Sequence, residues 1–205
     1  MTLPALINKT NNAENVVALK KTYETLSQAF YRISADNSGI VNALSSVITD
    51  EDLANIFIPK LTVIKNCGTA SAKDTGCFTD TTYKYLNGSD WSNLADSTAL
   101  GSILTADNIA YAFNITNTNC TSDYSSPAET ISSPLYNSCG WVMVDINGPN
   151  KGPSVVGRDT FEFWITKKGI YPRGSYPNSG SYDCTTSGFG FGCAGKIILE
   201  GAINY

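Results

Sequence analysis

Between Asp145 and Asp159 the chain gathers groups that could hold a hard cation. The carboxylates of Asp145 and Asp159, the amide of Asn147, and Gly148, Gly152 and Gly157 all fall within fifteen residues. Carboxylates supply charge, an amide supplies a neutral oxygen, and glycines let backbone carbonyls turn inward; this is the ligand chemistry of calcium. The spacing is not that of an EF-hand loop. The same residues also suit a long Gly/Pro turn in which Asn and Asp cap their own backbone. Spacing alone leaves both readings open and leans to the turn. Glu162, close behind Asp159, offers a second chemistry, a hydrolytic carboxylate pair. In an alternating strand it is expected instead to face solvent.

Other chemistries are excluded by composition. The chain of 205 residues contains no histidine. That removes the commonest general base and the commonest transition-metal ligand. No Ser-His-Asp or Cys-His unit can be built, and no His-ligated zinc site. Net charge is −4 and 16% of residues are charged, which argues against a nucleic-acid surface built on a basic field. The length suffices for one substantial core.

Six cysteines, Cys67, Cys77, Cys120, Cys139, Cys184 and Cys193, form sequential pairs spaced 10, 19 and 9 apart. None makes a C-x-x-C motif. An even count in Gly/Ser/Thr-rich surroundings reads as disulfides, and short loops close at lower entropic cost, so sequential pairing is expected. The compartment implied is oxidising: periplasm, cell surface or outside. No signal h-region and no run of about 18 apolar residues is visible. Either a signal was removed, or the chain is a soluble fragment of a longer one.

The elements that must position these groups begin with a helix. Val16, Leu19, Tyr23, Leu26, Phe30 and Ile33 recur at steps of 3, 4, 3, 4 and 3. The spacing predicts a helix over Leu6–Ile33, roughly 40 Å long, ended by the Ser34–Gly39 cluster. The stripe is expected to contact a sheet, although a coiled coil would show it too. Short helices are expected over Ile40–Val47 and Asp50–Ile58, the second opened by Thr49 and closed before Pro59. From Leu61 onward the pattern is β-like. Strands are expected at Leu61–Ile64, Phe78–Tyr85, Ser102–Leu104, Ile109–Ile115, Trp141–Ile146, Thr160–Thr166 and Gly169–Tyr171. Ala106–Asn108 reads as a hairpin turn. Ala194–Gly201 leans to a last helix. Tyr171, Tyr176, Tyr182, Phe189 and Phe191 crowd a Gly-rich tail; packing on the sheet is favoured over a carbohydrate-stacking surface.

This order of parts resembles a type IV pilin or a type II secretion pseudopilin. Thr2–Ile7, Lys20–Tyr23 and Leu26–Phe30 read like the part of a pilin helix that follows its membrane segment. Val144–Gly148, Gly152-Pro153, Gly157–Asp159, Phe161 and Phe163 are similar to the sheet motif of those proteins, and Cys193–Ile198 with Asn204-Tyr205 to their closing segment. Ser38–Cys139 is unmatched, and the cleavage site and apolar half-helix of the family are not seen. The resemblance implies an α+β fold, one long N-terminal helix packed on an antiparallel sheet with disulfide-closed loops. It implies a single domain over 1–205: helix 1–35, variable segment 36–100, sheet 101–171, and disulfide loop with closing segment 172–205. It further implies a non-enzymatic filament subunit that assembles through the helix carrying the Val16–Ile33 stripe. Its partners would be other pilin or pseudopilin subunits, and the inner membrane through an N-terminal segment absent here. Pseudopilins carry calcium in a comparable loop, so the resemblance raises Asp145, Asn147 and Asp159 as a calcium site. Two other classes stay open: a small secreted hydrolase using Asp145, Asp159 or Glu162, and an adhesion or glycan-binding domain using the aromatic tail.

Overall fold

The structure, a computed structural model, describes residues 3–91, 93–126, 130–176 and 184–205. Helix α1 runs unbroken from Leu3 to Asp36, three residues further at each end than the expected Leu6–Ile33. The stripe is what seats it. Val16, Leu19, Leu26, Phe30 and Ile33 are buried, and half-buried Tyr23 stacks on Phe163 with ring centroids 5.9 Å apart. These side chains share one core with Phe161, Phe163 and Ile165, as expected of a stripe that contacts the sheet. Among the residues of α1 whose burial is described, the large apolar ones left exposed are Val17 and Tyr31.

Two short helices follow. The one expected over Ile40–Val47 is helical only at α2 (Ile40–Ala43) before a turn. α3 (Asp50–Phe57) is opened by a capping box: Thr49 Oγ1 accepts from the Asp52 backbone N–H at 3.1 Å, and Asp52 Oδ2 accepts from the Thr49 N–H at 2.9 Å. Pro59 lies inside a 3-10 turn, Ile58–Lys60, rather than just beyond a helix end.

Six strands form one antiparallel sheet: β1 (Val63–Gly68), β4 (Gly101–Thr105), β5 (Ala110–Ile115), β6 (Ser138–Asp145), β7 (Thr160–Thr166) and β8 (Ile170–Pro172), side by side in that order. The edge strand β1 comes from the segment expected to be variable, so the sheet reaches beyond 101–171. The expected strand at Phe78–Tyr85 shrinks to β2 (Tyr83–Lys84), which pairs with β3 (Asp90–Trp91) apart from the main sheet. A single helical turn, α4 (Asn93–Asp96), follows it. The Thr105–Ile109 hairpin closes as expected, with Asn108 at φ 62° and its N–H donating to Thr105 O. The last helix, α5 (Cys193–Glu200), packs on α1, β7 and β8.

Strand alternation sorts the core into two layers. Tyr111, Phe113, Val142, Val144, Phe161, Phe163 and Ile165 face α1, α3 and α5. Leu104, Ala110, Ala112 and Met143 face the opposite way, under Phe78, Tyr83, Trp91 and Phe191. β7 is therefore buried along its whole length.

All three disulfides pair sequentially: Cys67–Cys77, Cys120–Cys139 and Cys184–Cys193. Replacing Cys120 and Cys139 together by serine is expected to lower stability by about 3 kcal/mol in the loop-entropy account. Denaturant titration measures this, and an unchanged midpoint would contradict it. Among the described residues no helix is long and apolar enough to cross a membrane.

Candidate functional site

The Asp-rich loop joins β6 to β7, and the sheet register fixes its two ends. Asp145 pairs across the ladder with Thr160, which places Asp145 and Asp159 at the mouth of one hairpin. Gly148, at φ 75°, turns the chain where an added Cβ would meet Asn108 O at 2.1 Å, so only glycine fits. Asn108 Nδ2 donates to Asn147 O at 2.9 Å and ties the loop to the neighbouring hairpin.

Both carboxylates have no exposed surface, and the residues expected to act together do meet. Asp145 Oδ2 accepts from the Tyr83 hydroxyl at 2.5 Å, and Oδ1 accepts from the N–H groups of Asn147 at 3.1 Å and Gly148 at 2.8 Å. Asp159 Oδ2 accepts from Ser154 N–H at 2.7 Å and Asn147 Nδ2 at 3.3 Å, and Oδ1 from Val155 N–H at 2.7 Å. Each oxygen thus faces an N–H or O–H donor, and Asn147 turns its amide nitrogen, not its oxygen, toward Asp159. These hydrogen bonds order the loop. Among the described residues no group of three or more Asp, Glu, Cys or His side chains is placed to hold a metal. Tyr83, the buried partner of Asp145, lay unsignalled in the sequence, since nothing in its own segment points 62 residues ahead.

Burial, then the neighbouring charge of Asp159, pushes the Asp145 pKa up to about 7, against the pull of its hydrogen bonds. Burial likewise raises Asp159. Tyr83 is held well above its ordinary range by burial and by Asp145, so it remains a donor. A carboxyl with a raised folded-state pKa favours the folded state when protonated. Its contribution is complete below the ordinary carboxylate range and is lost as pH rises through about 7. The melting temperature is therefore expected to fall between pH 5 and pH 8, by an amount on the order of a few kcal/mol in stability, and Asp145→Asn should flatten that slope. Bound calcium would reverse the sign, because a cation holds the carboxylates ionised. A melting series with millimolar calcium or chelator reads both effects. Stabilisation by calcium that grows with pH would replace the hydrogen-bonded turn with an ion site.

Glu162 corrects its own expectation. It does not face solvent: it is 3% exposed and pairs with Arg173, whose Nη1 donates to Oε1 at 2.6 Å and Oε2 at 2.7 Å. Alternation does turn Glu162 away from α1, but the opposite face of the sheet is covered too. Burial raises its pKa and the Arg173 charge lowers it. Of the aromatic tail, Phe191 is buried in the outer layer, Phe189 packs against it, and Tyr182 lies outside the described residues.

Comparison with known proteins adds no relative: no family model, no curated protein and no solved structure matches the chain.

Proposed function

We propose that this chain is a non-enzymatic structural subunit of a type IV pilus-like or type II secretion filament, assembling through α1. The supporting observation is how α1 is seated. Asn12 of α1 bonds Ile203 O at 3.5 Å, Asn15 bonds Arg158 O at 3.0 Å, and the Val16–Ile33 stripe packs into the core. The helix is continuous over 34 residues from Leu3 to Asp36, roughly 50 Å. A long helix seated on the sheet along one stripe suits a stalk whose other face packs among the stalks of neighbouring subunits. Val17 and Tyr31, exposed on its outer face, suit the same contacts. Three disulfides suit an oxidising compartment, periplasmic or extracellular. The hydrolase reading loses ground because Asp145 and Asp159 offer no surface to a substrate.

The reading requires an apolar segment of about 20 residues continuous with α1 in the encoded protein. It is tested by shearing surface filaments from the source cells and sequencing their peptides. Peptides of this chain should sediment with the filaments. Their recovery only from the soluble culture fluid would refute the proposal.

A further inference from the structure

The outer face of the sheet carries a cavity of about 330 Å³ assembled from six separate stretches of chain. Its floor is the outward face of β6, β7 and the end of β8: Trp141 opposite Trp164, Met143 opposite Glu162, and Arg173 beyond. Tyr85 and Trp91 wall it from the β2–β3 segment, Phe189 and Phe191 from the Cys184–Cys193 loop, and Tyr124 from the Cys120–Cys139 loop. All three tryptophans of the chain line it.

The floor is costly to maintain. The Glu162–Arg173 pair is almost fully removed from water, with side-chain exposures of 4% and 12%. The Arg173 guanidinium lies 5.0 Å from the Trp164 ring centre and 5.1 Å from that of Phe191. Buried ion pairs are often replaceable by apolar residues without loss of stability, and Met143 shows that such residues fit beside it. The Trp164 indole N–H is buried and makes no hydrogen bond among the described residues. Polar groups held at a stability cost, ringed by aromatic faces in an open cavity, mark a ligand site.

The chemistry of the pocket selects the ligand. A cation would want an unpaired carboxylate, and Glu162 is neutralised by Arg173. An anion would want an unbalanced guanidinium, and Arg173 is balanced by Glu162. A wholly apolar ligand would strand the ion pair. A pyranose ring satisfies both halves: its C–H face stacks on indole or phenol, and its hydroxyls accept from Arg173 and donate to Glu162, whose oxygens retain lone pairs. The volume is at the small end of ligand pockets, about 300–1,000 Å³, which suits one or two sugar rings.

We propose that this cavity binds a neutral saccharide, stacked on Trp141 and its aromatic walls and hydrogen-bonded to the Glu162–Arg173 pair. The site stands whether or not the chain assembles into filaments.

Tryptophan fluorescence of the purified chain is the direct probe, since every tryptophan faces the cavity. Titrants are galactose, N-acetylglucosamine, lactose and maltose, with sialic acid, tetramethylammonium and a proline-rich decapeptide as the competing chemistries. A saturable change with at least one neutral sugar is expected. Trp141→Ala, at a half-exposed position, should weaken that binding by about tenfold. Glu162→Leu with Arg173→Met should keep the fold, as judged by circular dichroism, and lose the response. No saturable change with any neutral sugar, a response confined to sialic acid, tetramethylammonium or the peptide, or unchanged binding in both variants would overturn the proposal.

Discussion

Arg173→Ala alone is expected to destabilise the protein by about 3–5 kcal/mol, because it leaves the Glu162 carboxylate buried and uncompensated. Glu162 is 3% exposed and both of its oxygens accept from the same guanidinium nitrogen. The loss should shrink as pH falls, since a protonated Glu162 no longer needs a counter-charge. Replacing both partners together, Glu162→Leu with Arg173→Met, should return stability to within about 1 kcal/mol of the parent. Denaturant melts of the two singles and the double form a thermodynamic cycle. A double variant as unstable as Arg173→Ala would mean that the pair itself holds the outer layer together. The expected outcome is that the pair is retained for something other than stability, which is the premise of the saccharide site.

Phe163→Ala is expected to cost a further large amount, about 3–5 kcal/mol, by opening a cavity at the junction of helix and sheet. Phe163 sits at the centre of β7, fully buried, with the Tyr23 ring of α1 stacked on it. Neighbouring core side chains come from rigid elements on both sides, so little collapse can offset the void. Tyr23→Ala should cost less, because Tyr23 is only half-buried. A two-state melt in which Phe163→Ala loses less than Tyr23→Ala would show that the helix is not seated where the structure places it.

Elements with strong local signals were legible in the sequence. The Thr160–Thr166 strand, the α1 stripe, the Thr49 cap and the sequential cysteine pairs each depend on residues close together in the chain. What was not legible depends on what covers what. Alternation placed Glu162 on the face away from α1, but it could not show that Tyr85, Trp91 and Phe191 roof that face. The Phe78–Tyr85 stretch carried strand-forming residues, yet only Tyr83–Lys84 pairs, and Phe78 is spent on packing over the outer layer. The loop chemistry was half legible. Asp145, Asn147 and Asp159 do converge, but the donor that fills Asp145 Oδ2 is Tyr83, far away in sequence.

The central claim is that this chain is a filament subunit with α1 as its stalk. Helical reconstruction by electron cryomicroscopy of surface filaments from the source cells tests it most directly. The account predicts density for the six-stranded sheet on the filament exterior, with α1 directed inward and its first turns packed against the stalks of neighbouring subunits. Filaments whose subunits have no such sheet, together with this chain recovered only as a free monomer, would contradict it.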